Sequence, residues 1–499
     1  MNIADVVSGR AKWRGIHWAL FSATARKVLA DQLRALLPAR ALVGPLHPRE
    51  VRFKPGRELT AYYDAHIYSE GRKTKETCCV RPIAVSCGPH TAADWGADIS
   101  KAAAEAERHL VAAPFLKLMA EFPAWSMRIQ VSPLDARFTR LARLSDPRHV
   151  RAMLADTCES GKATSHHQQT CDWTVTSIKY RPGRRHVLRY DPGDPSSGAT
   201  LFAKVYIGEE EARAFRREDG ARAFRVAREV ADAVAERCEG VNCLRPLAYL
   251  AEDAVVLYPQ LCGVPLSGYA RRLSPESAQW LRRAGAALRA LHHLPVALAG
   301  RPEPHDLAAE IRSIVRKSHH IPVLLPQVGS AIEVLLDRAR ELHNRLPQEP
   351  PTFTHGDLKT EHMWVTAGEL TVMDFDSARP ADPALDIGYF LADWQFQQAA
   401  WDQARVDEMY QSFFAGYAAR AQRDLSIRAR LCEAVELLKC AVRRVPLFEN
   451  DWASRVEGIV DRAEALIDDL QRALVLRTRR FSAPTAFQTG SAVKNKYLR

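Results

Sequence analysis

The sequence predicts an α+β protein made of small antiparallel sheets and a large helical region, and three observations carry that expectation. Residues 51–64 (VRFKPGRELTAYYD) and 178–191 (IKYRPGRRHVLRYD) share a Pro-Gly-Arg turn between two segments rich in β-branched and aromatic residues. That is the pattern of two antiparallel strands joined by a turn. Over residues 274–294 and 385–476, apolar residues recur at three-and-four spacing with charges between, the stripe of helices facing a core. Between these helical stretches a His-Gly-Asp loop leads into two short apolar runs that end in paired carboxylates.

Taken in chain order, each Pro-Gly hairpin is followed by a third apolar stretch, ETCCVRPIAVSC at 76–87 and ATLFAKVYI at 199–207. The two sheets therefore read as a partial duplication. Between them, residues 101–122 have helix-forming composition interrupted by Pro114, and 147–158 reads as a short helix. The polar stretch 159–170 suits a linker. Residues 209–239 read as a helix broken near Gly220, followed by a strand pair over 247–261. HMWV at 362–365 and LTVMDF at 370–375 are β-like, and the basic, aperiodic 481–499 reads as a disordered tail.

A chain of 499 residues is expected to form about three compact units. Its 47% hydrophobic, 8% aromatic and 26% charged residues exclude wholesale disorder. No apolar run approaches the length that crosses a bilayer, and the N-terminus lacks a basic start followed by an apolar core. A soluble, cytoplasmic protein with no membrane partner is expected. Lys plus Arg number 70 against 59 Asp plus Glu, a formal charge of +11. That excess favours an anionic ligand such as a nucleotide and equally fits a solvated basic surface; no nucleic-acid partner is expected. The ten cysteines are sparse and irregular, as in a reducing compartment. His166, His167 and Cys171, and the pair Cys238 and Cys243, lack the paired spacing of a zinc site. Aromatic residues at 394–417 fit a helical core, and Arg443, Arg444 and Arg455 read as solvated helix faces.

The strongest chemical signal is His355-Gly356-Asp357-Leu358-Lys359-Thr360-Glu361-His362, followed by Asp374-Phe375-Asp376. A carboxylate at Asp357, at the mouth of a loop, can take the proton of an incoming hydroxyl, and carboxylates at the facing strand end can hold a hard cation. Phosphoryl transfer needs that combination of positioning and charge neutralisation.

THGDLKTEHMWV and VMDFDSARPADPALDIG, together spanning residues 354–388, resemble the catalytic core of the aminoglycoside phosphotransferase and choline kinase superfamily, relatives of protein kinases. The resemblance implies a protein-kinase-like two-lobed fold, a small antiparallel sheet lobe plus a helical lobe, preceded by an α+β cap. It implies ATP and Mg2+, with Asp357 as base beside His355, Asp374 as principal metal ligand and Asp376 as the second. Asp382, Pro383 and Asp386 match the trailing motif, whose second Asp braces the catalytic loop. His362 stands where the family has a metal-binding Asn; imidazole favours transition metals over magnesium, which brings Mn2+ into consideration. In the implied nucleotide lobe, Lys204 steadies phosphates and pairs with a helix carboxylate among Glu211, Glu218 and Glu229, with Glu229 favoured. Gly183 and Arg184, or Arg185, lie in the phosphate-covering turn, and Tyr258 to Leu261, including Gln260, form the adenine hinge. The implied boundaries are 1–165 for the cap, 166–262 for the nucleotide lobe, 263–480 for the helical lobe and 481–499 for the tail. The cap also loosely resembles that of bacterial maltokinases.

The implied activity is transfer of the γ-phosphoryl group to a hydroxyl of a small molecule: sugar, amino sugar or amino alcohol. A catalytically weakened nucleotide-binding regulator and a protein kinase are the alternatives, the last disfavoured because His-Arg-Asp and Asp-Phe-Gly are missing. The sequence does not choose the acceptor or the oligomeric state.

Overall fold

The computed structural model describes residues 1–69, 78–89, 96–159, 172–207, 219–271, 274–300, 303–398, 403–417 and 423–482. His166, His167, Cys171, Glu211, Glu218, Trp401, the proposed linker from 160 onward and the tail from 483 onward lie outside them.

The first sheet comprises β1 (Leu42–Lys54), β2 (Glu58–Tyr68), β3 (Cys78–Cys87), β4 (Met119–Phe122) and β5 (Met127–Val131), in the order β1-β2-β3-β5-β4 with antiparallel pairing throughout. Strand alternation sorts its residues. Val51, Phe53, Leu59, Ala61, Tyr63 and Val85 join a core shared with Leu20, Leu29 and Leu33 of the helices Lys12–Phe21 and Ala23–Ala35. Arg52, Lys54, Thr60 and Arg128 occupy the other face and line a cleft.

The second sheet contains β6 (Trp173–Arg181), β7 (Arg185–Pro192) and β8 (Leu201–Val205); β9 (Val241–Cys243) departs to another sheet, and β10 (Ala248–Leu250) and β11 (Val255–Pro259) complete the order β10-β11-β8-β7-β6. The two hairpins share their turn geometry. Gly56 and Gly183 adopt φ of +71° and +66°, a left-handed conformation that glycine adopts without steric cost. The N–H groups of Arg57 and Arg184 donate to the carbonyls of Lys54 and Arg181 at 3.0 and 2.9 Å. Each hairpin carries a bulge, at Arg49 in β1 and at Ile178 in β6, and Arg49 Nη2 donates to the Ile178 carbonyl at 3.2 Å.

β12 (Val264–Pro265), β14 (Met363–Thr366) and β15 (Glu369–Val372) join β9 in a third sheet of order β12-β14-β15-β9, and β13 (Thr352–Thr354) pairs with β16 (Arg379–Ala381) beside the His355 loop. Around them pack the helices Pro275–His292, Leu307–Lys317, Pro326–Asn344, Pro383–Phe396, Gln403–Tyr417, Arg423–Arg443 and Trp452–Ser482. Trp394 and Phe413 are fully buried among them, as the helical-core reading required. Trp13 Nε1 donates to the Leu447 carbonyl at 3.0 Å, which ties the N-terminal helices to the helical region.

The α+β class is as expected, and several elements differ from expectation. The stretch 101–122 is not one interrupted helix: the helix Gly96–Arg108 ends first, and Met119–Phe122 forms an edge strand paired with β5. Within the described residues the expected 209–239 helix begins at Gly220, where the Asp219 side chain accepts from the Arg222 N–H, a standard cap. The helices before residue 36, and those at Leu307–Lys317 and Pro326–Asn344, were not expected. Cys78, Cys79, Cys87, Cys238, Cys243, Cys262, Cys432 and Cys440 are free thiols. Among the described residues no helix is long and apolar enough to cross a membrane.

Candidate functional site

Lys204 lies on the central strand β8, opposite Val187 of β7 and Val256 of β11. A lysine on such a strand needs a counter-charge. Its Nζ is 2.6 Å from Asp374 Oδ1 and 2.5 Å from Asp376 Oδ2. Burial opposes its charge, but the two carboxylates outweigh that and raise its pKa. Glu229 makes no ion pair with Lys204, a correction to the preference for it; the carboxylates of the Asp-Phe-Asp segment pair with the lysine, and Glu211 and Glu218 lie outside the described residues. Tyr206, one residue past the end of β8, places its ring centre 5.7 Å from Lys204 Nζ, and its hydroxyl donates to Asp376 at 3.0 and 3.1 Å. Arg222 Nη1 donates to the Asp376 carbonyl at 2.9 Å, and its Nη2 to the Ala378 carbonyl at 2.7 Å. Asp374 itself sits at φ +70°, a conformation rare for a residue with a side chain and common at functional sites.

The turn behaves differently from expectation. Gly183 donates its N–H to Asp135 Oδ2 at 2.6 Å, and Arg184 lines the cleft against the first sheet. Arg185 is the turn residue that approaches the acidic centre, at 3.8 Å from Asp374 and 3.6 Å from Asp376. Lys179, two residues before Arg181 on β6, was not anticipated. Burial first, then Arg181, Arg185 and Lys359, push its amine down to about 8. Tyr258 is placed on β11 opposite Phe202, and burial, then Asp376 and Asp374, hold its phenol well above the usual range. Gln260 is exposed, with its N–H bound to the Thr200 carbonyl at 3.1 Å.

The catalytic-type loop is braced by one stripe of the helix Pro383–Phe396. Asp386, Tyr389 and Asp393 follow i, i+3, i+7 spacing, so they share a face. Asp386 accepts from the His355 and Gly356 N–H groups at 2.6 and 2.9 Å. Tyr389 donates its hydroxyl to Asp357 Oδ1 at 2.7 Å. Asp393 accepts from the N–H and hydroxyl of Thr360 at 2.6 and 2.5 Å and pairs with Arg444. Arg444 is therefore a structural ion-pair partner instead of a solvated residue. Asp382 caps the same helix through the Ala384 N–H at 2.9 Å.

His355 is buried, and its Nε2 lies 3.0 Å from the Met373 carbonyl while the Asp357 N–H points to its Nδ1 at 3.4 Å. It acts as a positioning residue that ties the loop to the end of β15. Burial raises the Asp357 carboxyl, but Lys359, His362 and the Tyr389 hydrogen bond prevail and hold it at about 2. Asp374 is held well below the usual carboxylate range against its burial, chiefly by Lys204, then His362 and Arg185. Burial pushes His362 down to about 4, so its imidazole is neutral near pH 7. Asp357, His362 and Asp374 each offer a ligand atom within 4.8 Å of the others. Asp376 is not in this group; its oxygens face Lys204 and Tyr206. The donor set of two carboxylates and one imidazole suits a divalent ion with mixed oxygen and nitrogen preference.

A model of the phosphotransferase enzyme family (APH) matches residues 194–425. The resemblance read from the sequence holds over this stretch. It contains Lys204, the His355–His362 loop and both carboxylates of the Asp-Phe-Asp segment. No curated protein matches the chain. Among solved structures, a choline/ethanolamine kinase family protein from Mesorhizobium loti is 17% identical, covers 65% of this chain and 98% of its own, and superposes with a TM-score of 0.42. A choline kinase from Cryptosporidium parvum is 11% identical, covering 67% and 99%, at 0.43. An aminoglycoside phosphotransferase from Streptomyces rimosus, in complex with ADP and streptomycin, is 17% identical, covering 57% and 97%, at 0.34.

Proposed function

We propose that the protein transfers the γ-phosphoryl group of ATP to a hydroxyl of a small molecule such as a sugar, amino sugar or amino alcohol. The observation that carries this reading is the convergence of Asp357, His362 and Asp374 within 4.8 Å, with Lys204 Nζ 2.6 Å from Asp374. In this reading residues 1–165 form a cap, 166–262 the nucleotide lobe and 263–480 the helical lobe.

Asp357 Oδ1 is held by Tyr389, which leaves Oδ2 to accept the hydroxyl of the incoming acceptor. The new bond joins the acceptor oxygen to γ-phosphorus while the bond from γ-phosphorus to the β,γ-bridging oxygen breaks and ADP departs. The hydroxyl proton passes to Asp357 Oδ2 and then to solvent. A carboxylate this weakly basic orients the hydroxyl early and takes its proton late, as a loose phosphoryl transition state allows. Lys204, Arg185 and Lys179 form a basic rim that orients nucleotide phosphates, Lys204 exchanging part of its carboxylate contact for phosphate oxygens. Asp374 and His362 would hold the divalent cation, with Asp357 left as the base; when bound, the ion neutralises charge on the phosphates.

The test is acceptor-dependent ADP release across a panel of hydroxylated metabolites, with Mg2+ and Mn2+ compared and Asp357→Asn as control. Turnover with at least one acceptor, lost in the variant, supports the reading. The direct contact of Lys204 with both carboxylates favours a second reading, a nucleotide-binding regulator. ATP binding without turnover on any acceptor would select it.

A further inference from the structure

Outside the acidic centre, a cleft of about 780 Å³ lies between the first sheet and the Pro-Gly turn of the second. Its floor is the sheet face that strand alternation turns away from the N-terminal core, and its roof is the turn at residues 182–184. Six basic side chains line it: Arg52, Lys54, Arg57, Arg128, Arg137 and Arg184. The acidic lining consists of Glu58 and Asp135, and both are engaged. Glu58 pairs with Lys54, and buried Asp135 accepts from the Gly183 N–H and lies 2.7 Å from His186 Nε2.

Two features separate this surface from a merely solvated basic face. Arg128 is buried at 4% exposure on the sheet face, where a guanidinium is costly unless it serves charge recognition or pairing. It pairs with Glu121 at 2.7 Å. Arg52 carries a buried Nη1 with no acceptor among the described residues, although Glu50 holds its Nε at 2.6 Å. Arg57, Arg137 and Arg184 stand exposed around the mouth. Several forked donors converging on a polar cavity of small-molecule size match the geometry of phosphate oxygens.

We infer that this cleft is a second ligand site, distinct from the acidic centre, for a small phosphate-bearing anion, either an organic phosphate or free phosphate. The site abuts the turn whose next residue, Arg185, approaches Asp374 and Asp376. Its ligand therefore touches the segment that reaches the acidic centre.

Calorimetric titration of the full chain with glucose 6-phosphate and, separately, inorganic phosphate tests this. Three proteins are compared: wild type, Arg57→Ala/Arg137→Ala, and Lys204→Met. At least one probe is expected to bind wild type and Lys204→Met with the same affinity, and the double-arginine variant about tenfold more weakly or less. Tight binding of glucose 6-phosphate alone identifies an organic phosphate; equal binding of both identifies the phosphate group itself. Both arginines are exposed, and far-UV circular dichroism checks that the variant keeps its fold. Binding of neither probe, or binding lost in Lys204→Met and retained in the double-arginine variant, overturns the inference.

Discussion

His362 faces Asp374 as one acceptor facing another. Its Nδ1 lies 2.9 Å from the Asp357 carbonyl and donates to it, so Nε2 carries the lone pair and points at Asp374 Oδ2, 3.4 Å away. Lone pair against carboxylate is unfavourable unless a cation lies between them. A nitrogen ligand favours Mn2+ over Mg2+ relative to an all-oxygen set. We expect the ratio of Mn2+- to Mg2+-supported ADP release to fall roughly tenfold in His362→Asn. An unchanged ratio across a titration of both metals would remove His362 from the metal shell.

Asp357 and Tyr389 form a second linked pair. Asp357→Asn should lower kcat by roughly 10²–10⁴-fold with little change in ATP affinity, the range for loss of a positioned base. Tyr389→Phe should act more subtly. Burial favours the protonated Asp357, Lys359 and His362 oppose it, and the Tyr389 hydrogen bond adds to that opposition. Its removal should raise the Asp357 pKa, so the acid limb of kcat/KM moves to higher pH. A profile that overlays wild type would show that Tyr389 does not tune the base.

The residues that bear charge at the centre were legible because their types and spacing are dictated by chemistry. His355 to His362 and Asp374 to Asp376 form one linear pattern, and Lys204 sits in an apolar strand where its charge is conspicuous. The supporting residues follow rules of local geometry that were equally present in the sequence. Tyr206 follows Lys204 by two residues, one past the end of β8, and Tyr389 and Asp393 lie one and two helical turns from Asp386. The helix Leu307–Lys317 was likewise announced by Leu307, Ile311 and Ile314 at helical spacing. The partner of Lys204 was different in kind. Its choice between a helix glutamate and the Asp-Phe-Asp carboxylates depends on how the lobes approach, and no local pattern encodes that. The same holds for Gly183, whose N–H is taken by Asp135 from 48 residues away.

Gly356 is required for two independent reasons. It adopts φ +77°, and a Cβ there would lie 2.2 Å from the Ser377 carbonyl oxygen. The left-handed conformation alone costs a residue with a side chain roughly 1–2 kcal/mol, and the contact with backbone cannot relax by a rotamer change. Gly356→Ala should therefore lower the thermal midpoint and separate the His355 loop from the segment bearing Asp374 and Asp376. We expect ADP release to fall by more than the stability change explains at a temperature where the variant remains folded. A variant with wild-type midpoint and turnover would show that Ser377 yields freely.

Lys439 is buried between Glu310 and Glu436, with Nζ 2.7 and 2.9 Å from their carboxylates and 4.4 Å from the Tyr389 ring centre. Burial opposes ionisation of Glu310, but the His305 hydrogen bond, Lys439 and Arg379 hold its carboxyl well below its ordinary 4.5. Its stabilisation is thus present above that ordinary value and lost as pH falls through the lowered range. Burial pushes Glu436 up to about 7 despite Lys439, so that group favours the fold below about 4.5 and withdraws its contribution as pH climbs through about 7. Lys439→Met leaves two buried carboxyls without their cation, which should cost about 3–5 kcal/mol near pH 7 by urea unfolding. Because both carboxyls can then protonate, the deficit should shrink as pH is lowered toward about 5. A deficit independent of pH would mean that Lys439 stabilises through packing of its methylenes against Tyr389 and not through charge.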